Sequence, residues 1–131
     1  SGFMIAQVTA AALASENKTL AHPASVDSIP TSLGQEDHVS MGSISAIKLL
    51  YVLQNVEHVL AIELFTAAQA LDYRAPLRPG RGVEVAHRYV RDRIPHYEAD
   101  SLFQEDIDRC LAIIRGRDFE EHLVHALNEL D

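Results

Sequence analysis

Four hydrogen-bonding side chains stand in a row at Gln35, Glu36, Asp37 and His38, inside the stretch from Ser28 to Gly42. Gln35 brings two donors and an acceptor beside the Glu36 carboxylate. Pro30 and Gly34 keep a helix from running through this stretch. A bare connector between helices would need only a few residues. Polar groups held at the mouth of a helical core act either as a cap or as a site. As a cap, Glu36 and Asp37 lie just ahead of a long helical pattern whose N-terminal dipole favours carboxylates, and Asp37 or Ser40 has the chemistry of an N-cap. As a site, Glu36 is the first candidate, and His38 orients the loop through a backbone carbonyl. Spacing alone does not choose between the two.

The elements that must position this row are helical. Phe3 to Ser15 is rich in alanine, with apolar residues on all sides, and predicts a helix buried on several faces over residues 1–17. Ser15-Glu16-Asn17-Lys18 reads as its polar stop, with Asn17 as the C-terminal cap. Residues 18–42 form a long irregular segment holding Pro23 and Pro30, expected to be an ordered, functional loop. Ser43 to Tyr73 contains no Gly and no Pro and is apolar nearly all round, which predicts a core helix over 43–73. At 1.5 Å per residue it would run about 46 Å. A compact domain of this size has a radius of gyration of about 14 Å and a diameter of about 36 Å. The helix therefore needs partners from other chains or other sequence. Residues 74–131 predict three shorter helices: Val83 to Ile94, one opened at Ser101 by a capping box with Gln104 and closed at Gly116, and one from Asp118 to Leu130. Val83, Ala86, Val90 and Ile94 would face inward on the first, and Phe119, Leu123, Ala126 and Leu130 on the last. No segment has strand periodicity and no internal repeat is present. The fold class expected is all-α: two long helices joined by an ordered loop, plus three shorter C-terminal helices.

Composition narrows the partners. The 131 residues fit one domain, and 47 % apolar content is that of a globular chain. A net charge of −8 argues against nucleic acid or an anionic membrane surface as partner. No apolar run approaches the roughly 20 residues of a membrane span. No basic region precedes Phe3 to Ala14, so a signal peptide is not expected. Cys110 is the sole cysteine, which excludes an intrachain disulfide and fits a reducing, cytoplasmic compartment. Cys110 itself falls on an apolar helix face and reads as an inert core thiol.

Three strings carry a resemblance to a known family: Ser15-Glu16-Asn17-Lys18; Pro23-Ala24-Ser25-Val26-Asp27-Ser28-Ile29-Pro30-Thr31-Ser32; and Gln35-Glu36-Asp37-His38-Val39-Ser40-Met41. Together they resemble the histidine ammonia-lyase branch of the aromatic amino acid lyases, over the C-terminal part of such an enzyme. The likeness is continuous from Ser1 to about Tyr73 and fainter beyond. The resemblance implies that Glu36 faces the substrate in acid–base or orienting work. Phenylalanine-type lyases carry a Gln there, and a pocket glutamate where Ser32 stands here. It further implies that Gln35, Ser32 and His38 belong to the substrate pocket or its support, and that the intact enzyme converts L-histidine to trans-urocanate and ammonia as a homotetramer. The chain departs from the pattern at Leu33-Gly34, where Ala-Asn or Gly-Asn is usual, and this bears on pocket shape. The family's electrophile is a methylidene-imidazolone cyclised from an internal Ala-Ser-Gly, and no Ala-Ser-Gly occurs in this chain. The chain alone, without any such cofactor, is therefore expected to be inactive. The expected partner is a second copy, as a homodimer or homotetramer through the 43–73 helix. A different reading of the same pattern is a non-catalytic helical oligomerisation module.

His122 and His125 share one helix face, but zinc needs three or four converging ligands, so no metal is expected. Arg74, Arg78, Arg81, Arg88, Arg91 and Arg93 form a basic stretch, balanced by the acidic residues that follow and expected to be neutralised within the fold or between subunits.

Overall fold

The computed structural model describes residues 2–35 and 39–128, and within them every regular element is helical. Helix α1 spans Gly2–Leu20, α2 Gly42–Asp72, α3 Arg81–Arg91, α4 Gln104–Arg115 and α5 Asp118–Asn128. Two short 3₁₀ turns, Ala24–Asp27 and Ser32–Gly34, lie between α1 and α2. No helix among the described residues is long and apolar enough to cross a membrane.

Helix α2 is the axis. α1 and α4 pack along it, α3 crosses its C-terminal end, and α5 lies on α3. The core gathers where all of these meet. Phe65 and Ala61 of α2, Ile94 beyond α3 and Cys110 of α4 are fully buried. Around them the rings of Phe3, Phe65, Phe103 and Tyr97 form one aromatic cluster, with Phe3 stacked on Phe65 at 5.1 Å and Phe103 tilted against Phe65 at 5.2 Å. Such offset and tilted contacts satisfy the ring quadrupoles while burying a large apolar area. Gly2 permits the approach: a Cβ there would stand 2.5 Å from the Phe103 ring. Burial pushes the Cys110 thiol up to about 12, so it stays protonated and unreactive.

Four details of the sequence reading are corrected. α1 does not stop at Ser15 to Lys18 but runs on to Leu20. The polar residues there stay helical because they are used from outside: the Asn55 amide of α2 donates to Glu16 at 2.7 Å and to the Asn17 side chain at 2.9 Å. Asn17 is thus a helix–helix tie, not a cap. Ser101 is not an N-cap either, since α4 begins at Gln104 after Phe103, with no side-chain cap. The aromatic cluster fixes Phe103 inward and leaves Leu102 fully exposed, so packing rather than capping sets that boundary. α3 occupies Arg81–Arg91 rather than 83–94, and it turns Tyr89 inward while Val83 is about half exposed. On α5, Phe119, Leu123 and Ala126 are half-buried, while Leu130 lies outside the described residues.

The buried apolar residues of α2 gather toward its C-terminal end. Ala61, Ile62, Phe65 and Ala68, all in the C-terminal half, are buried, as is the polar Gln69. Ile44, Ile47, Leu49, Leu50, Tyr51, Leu53, Val56 and Leu60 are exposed in the single chain.

Candidate functional site

The polar row lies in the segment between α1 and α2, which is built up from its base. His22 continues the last turn of α1 through its N–H to the Thr19 carbonyl, at 3.2 Å. The Lys48 ammonium of α2 donates to the His22 carbonyl. Ala24 is buried and anchors the first 3₁₀ turn. Ser28 then reaches across to the far end of the segment. Its hydroxyl donates to the Val39 carbonyl at 3.1 Å and accepts the Val39 N–H at 3.0 Å.

Inside that closure the chain makes a left-handed turn. Ser32, Leu33 and Gly34 have φ of 54°, 55° and 83°. The turn is closed by the Gly34 N–H to the Thr31 carbonyl and the Gln35 N–H to the Ser32 carbonyl, both at 3.1 Å. Glycine adopts such φ freely, but Ser32 and Leu33 do so at a cost of about 1–3 kcal/mol each. Ser32 and Gln35 are exposed, and Leu33 projects wholly into solvent. Glu36, Asp37 and His38 lie outside the described residues. Beyond them, the Ser40 hydroxyl accepts the Gly42 N–H at 3.3 Å at the start of α2. Ser40 thus does satisfy one free amide there, although the helix begins after Met41 rather than after Ser40.

Sequence reasoning named Ser32, Gln35, Glu36 and His38, and the structure brings Ser32 and Gln35 together on one exposed turn. It missed Ser28 and Lys48. Neither has a spacing signal, because their partners are backbone groups eleven and twenty-six residues away. Chemically, the described part of the turn offers a hydroxyl and an amide, able to bind and orient a polar ligand. Among the described residues no group of three or more His, Cys, Asp or Glu is placed to hold a metal ion. The His122 ring packs on Tyr89 at 5.2 Å instead.

A second polar cluster, also missed, joins the end of α2 to α3. Asp72 accepts hydrogen bonds from His87 at 2.8 Å, Arg91 at 2.7 Å and His96 at 2.6 Å. Arg91 also holds the Ile94 and Pro95 carbonyls, so one arginine of the basic stretch is neutralised within the fold. Burial by itself would raise the Asp72 carboxyl; the hydrogen bonds from His96, Arg91 and His87 and the charge of Arg91 outweigh it and hold the group below its ordinary value. A depressed folded pKa contributes stability that is present above the unfolded value of about 3.9 and is lost as pH falls through the folded one. Asp72→Asn, which removes the charge that three donors face, is expected to destabilise the chain at pH 7 by less than the roughly 3–5 kcal/mol of a fully buried pair. Urea unfolding at pH 7 and at pH 3 checks this, and the gap between the two proteins should narrow at the lower pH.

Comparison with known proteins adds to this geometry. The family model described as aromatic amino acid lyase matches residues 1–92. Histidine ammonia-lyase of Anaeromyxobacter sp. strain K is 59 % identical over 114 residues, which are 87 % of this chain and 22 % of that protein. Histidine ammonia-lyase of Gloeobacter violaceus is 52 % identical over 131 residues, the whole of this chain and 26 % of that protein. The crystal structure of histidine ammonia-lyase from Trypanosoma cruzi superposes with a TM-score of 0.89 at 47 % identity, covering 96 % of this chain and 25 % of that one. A tyrosine aminomutase from Streptomyces globisporus superposes at 0.82 with 32 % identity, covering 98 % of this chain and 24 % of that one. The chain spans about a quarter of the length of the relatives it matches.

Proposed function

This chain belongs to the aromatic amino acid lyase family, and from that premise we propose that it is the C-terminal part of a histidine ammonia-lyase, supplying Glu36 to the active site. The intact enzyme would break the Cα–N bond of L-histidine and remove a proton from Cβ, giving trans-urocanate and ammonia. Glu36 serves in proton transfer or in orienting the substrate, while Gln35 and Ser32 present hydrogen-bonding groups on the adjoining turn. His38 supports the loop. The observation that carries the reading is the glutamate at the second place of Gln35-Glu36-Asp37-His38.

The methylidene-imidazolone implied by the family has no precursor here. The two Ala-Ser pairs, Ala14-Ser15 and Ala24-Ser25, are followed by Glu16 and Val26 rather than glycine. The electrophile would therefore come from other sequence, and this chain's part is confined to the polar loop and to assembly. For assembly, the exposed apolar half of α2 is the surface that a second copy would cover, in a homodimer or homotetramer. The same face would serve a purely structural module, so catalysis must be tested by product. The full-length enzyme, assayed in a cytoplasm-like reducing buffer, should release urocanate and ammonia from L-histidine in equal amounts. Turnover of tyrosine or phenylalanine in its place would move the chain to another branch of the family.

A further inference from the structure

We propose that the arginine-bearing turn between α2 and α3 docks on the acidic helix α5 of a second copy of this chain. This contact is separate from the exposed face of α2 and owes nothing to the reaction assigned above. The turn is fixed by its own backbone: the Arg74 N–H donates to the Leu71 carbonyl at 3.0 Å, Ala75 to Asp72 at 3.3 Å and Leu77 to Arg74 at 2.9 Å. Tyr73 and Leu77 are 70 % and 67 % exposed, and Arg74, Arg78 and Arg81 are exposed beside them. The carboxylate nearest in sequence, Asp72, is already taken by His87, Arg91 and His96, and Glu84 faces Arg88 at 3.7 Å. Among the described residues, the side chains of Arg74, Arg78 and Arg81 have no ion pair or hydrogen bond.

Charge complementarity selects the occupant. Residues 74–93 carry six arginines against two carboxylates, whereas residues 98–131 carry ten carboxylates against three arginines. On α5, Glu120, Glu121 and Val124 are exposed and share one face, standing three and four residues apart. With Arg117 and Asn128 they line an open cleft of about 500 Å³. Asp118, Glu120 and Glu121 outnumber Arg117 there, so the field over the cleft is negative. Leu77 between Arg74 and Arg78 is the counterpart of Val124 beside Glu120 and Glu121: each is an apolar centre with charged flanks, and the signs are opposite. An apolar centre with a polar rim is the ordinary anatomy of an interface, where Arg and Tyr are also enriched. Matched charges at the rim fix register and speed encounter. Two copies related by a two-fold axis would make the contact twice, the turn of each on the α5 of the other.

The test uses the full-length enzyme. Arg78→Lys keeps the charge and supplies a primary amine, which a carbodiimide joins only to a carboxylate in direct contact. Two tagged forms are co-expressed: one carries Arg78→Lys with Glu120→Gln and Glu121→Gln, and the other is unaltered. A cross-link from position 78 to Glu120 or Glu121 can then arise only between copies, and peptide mass spectrometry should find it. A second measurement uses charge reversal. Arg74→Glu with Arg78→Glu should speed subunit exchange by at least about threefold, the scale of two exposed ion pairs lost. Adding Glu120→Lys and Glu121→Lys should bring exchange back to within about twofold of the parent. The absence of a cross-link, a cross-link from position 78 only to carboxylates outside α5, or reversal without rescue would overturn the contact. Each of these results leaves the lyase reading intact, because release of urocanate tests that reading separately.

Discussion

Full-length enzyme carrying Glu36→Gln is expected to lose about 10²- to 10⁴-fold in kcat on L-histidine, the range typical of a general acid–base group. Glutamine fills nearly the same volume as glutamate and keeps a carbonyl acceptor, but it cannot take up or return a proton at neutral pH. Packing should survive, so the melting temperature should barely move. Steady-state kinetics with a thermal melt of the same preparations check both halves. If kcat is retained and only KM rises, Glu36 binds substrate equally in ground and transition states and orients rather than transfers protons. A variant with most of the parental kcat/KM would return Glu36 to the lesser role of favouring the N-terminus of α2.

Leu53→Asp is expected to break the assembly that we propose for α2. Leu53 and Leu60 are 50 % and 43 % exposed in the single chain, among a run of equally exposed neighbours. A cluster of exposed large apolar side chains of this kind marks an interface. Closed symmetry would place copies of the same face against each other, as a dimer or tetramer. A carboxylate at Leu53 would then lose its water inside the contact. Because neither side chain belongs to the chain's own core, the fold should survive while the oligomer dissociates or the exposed face drives precipitation. Sedimentation at micromolar concentration reads the outcome. A Leu53→Asp protein with unchanged mass and solubility would place the interface elsewhere.

The architecture was legible because it depends on pattern. The absence of Gly and Pro over 43–73, the Pro-bearing segment before it and the three short amphipathic stretches after it each leave a local trace. Gly116 closes α4 as its position suggested. What was not legible depends on partners far away in sequence. Asn17 looked like a cap because its use by Asn55, thirty-eight residues on, leaves no local mark. Ser101 and Gln104 had capping-box spacing, yet the burial of Phe103 in an aromatic cluster decided where α4 begins. Asp72, His87, Arg91 and His96 read as unrelated charges until α3 folds back over the end of α2. The left-handed Ser32 and Leu33 gave no warning, since neither residue type favours that conformation. In the candidate site, residue chemistry singled out Glu36 and Gln35, and the family resemblance added Ser32. The contacts that close the segment around them are made to backbone atoms, which side-chain patterns do not record.

The account is tested most directly by one side-by-side assay of urocanate release from L-histidine. Three samples are compared: the full-length enzyme, its Glu36→Gln variant and the 131-residue chain alone. Rapid release should come from the first, release slowed by about 10²-fold or more from the second, and none from the third, which has no Ala-Ser-Gly to cyclise. Urocanate from the isolated chain, or undiminished release from the Glu36→Gln enzyme, would contradict it.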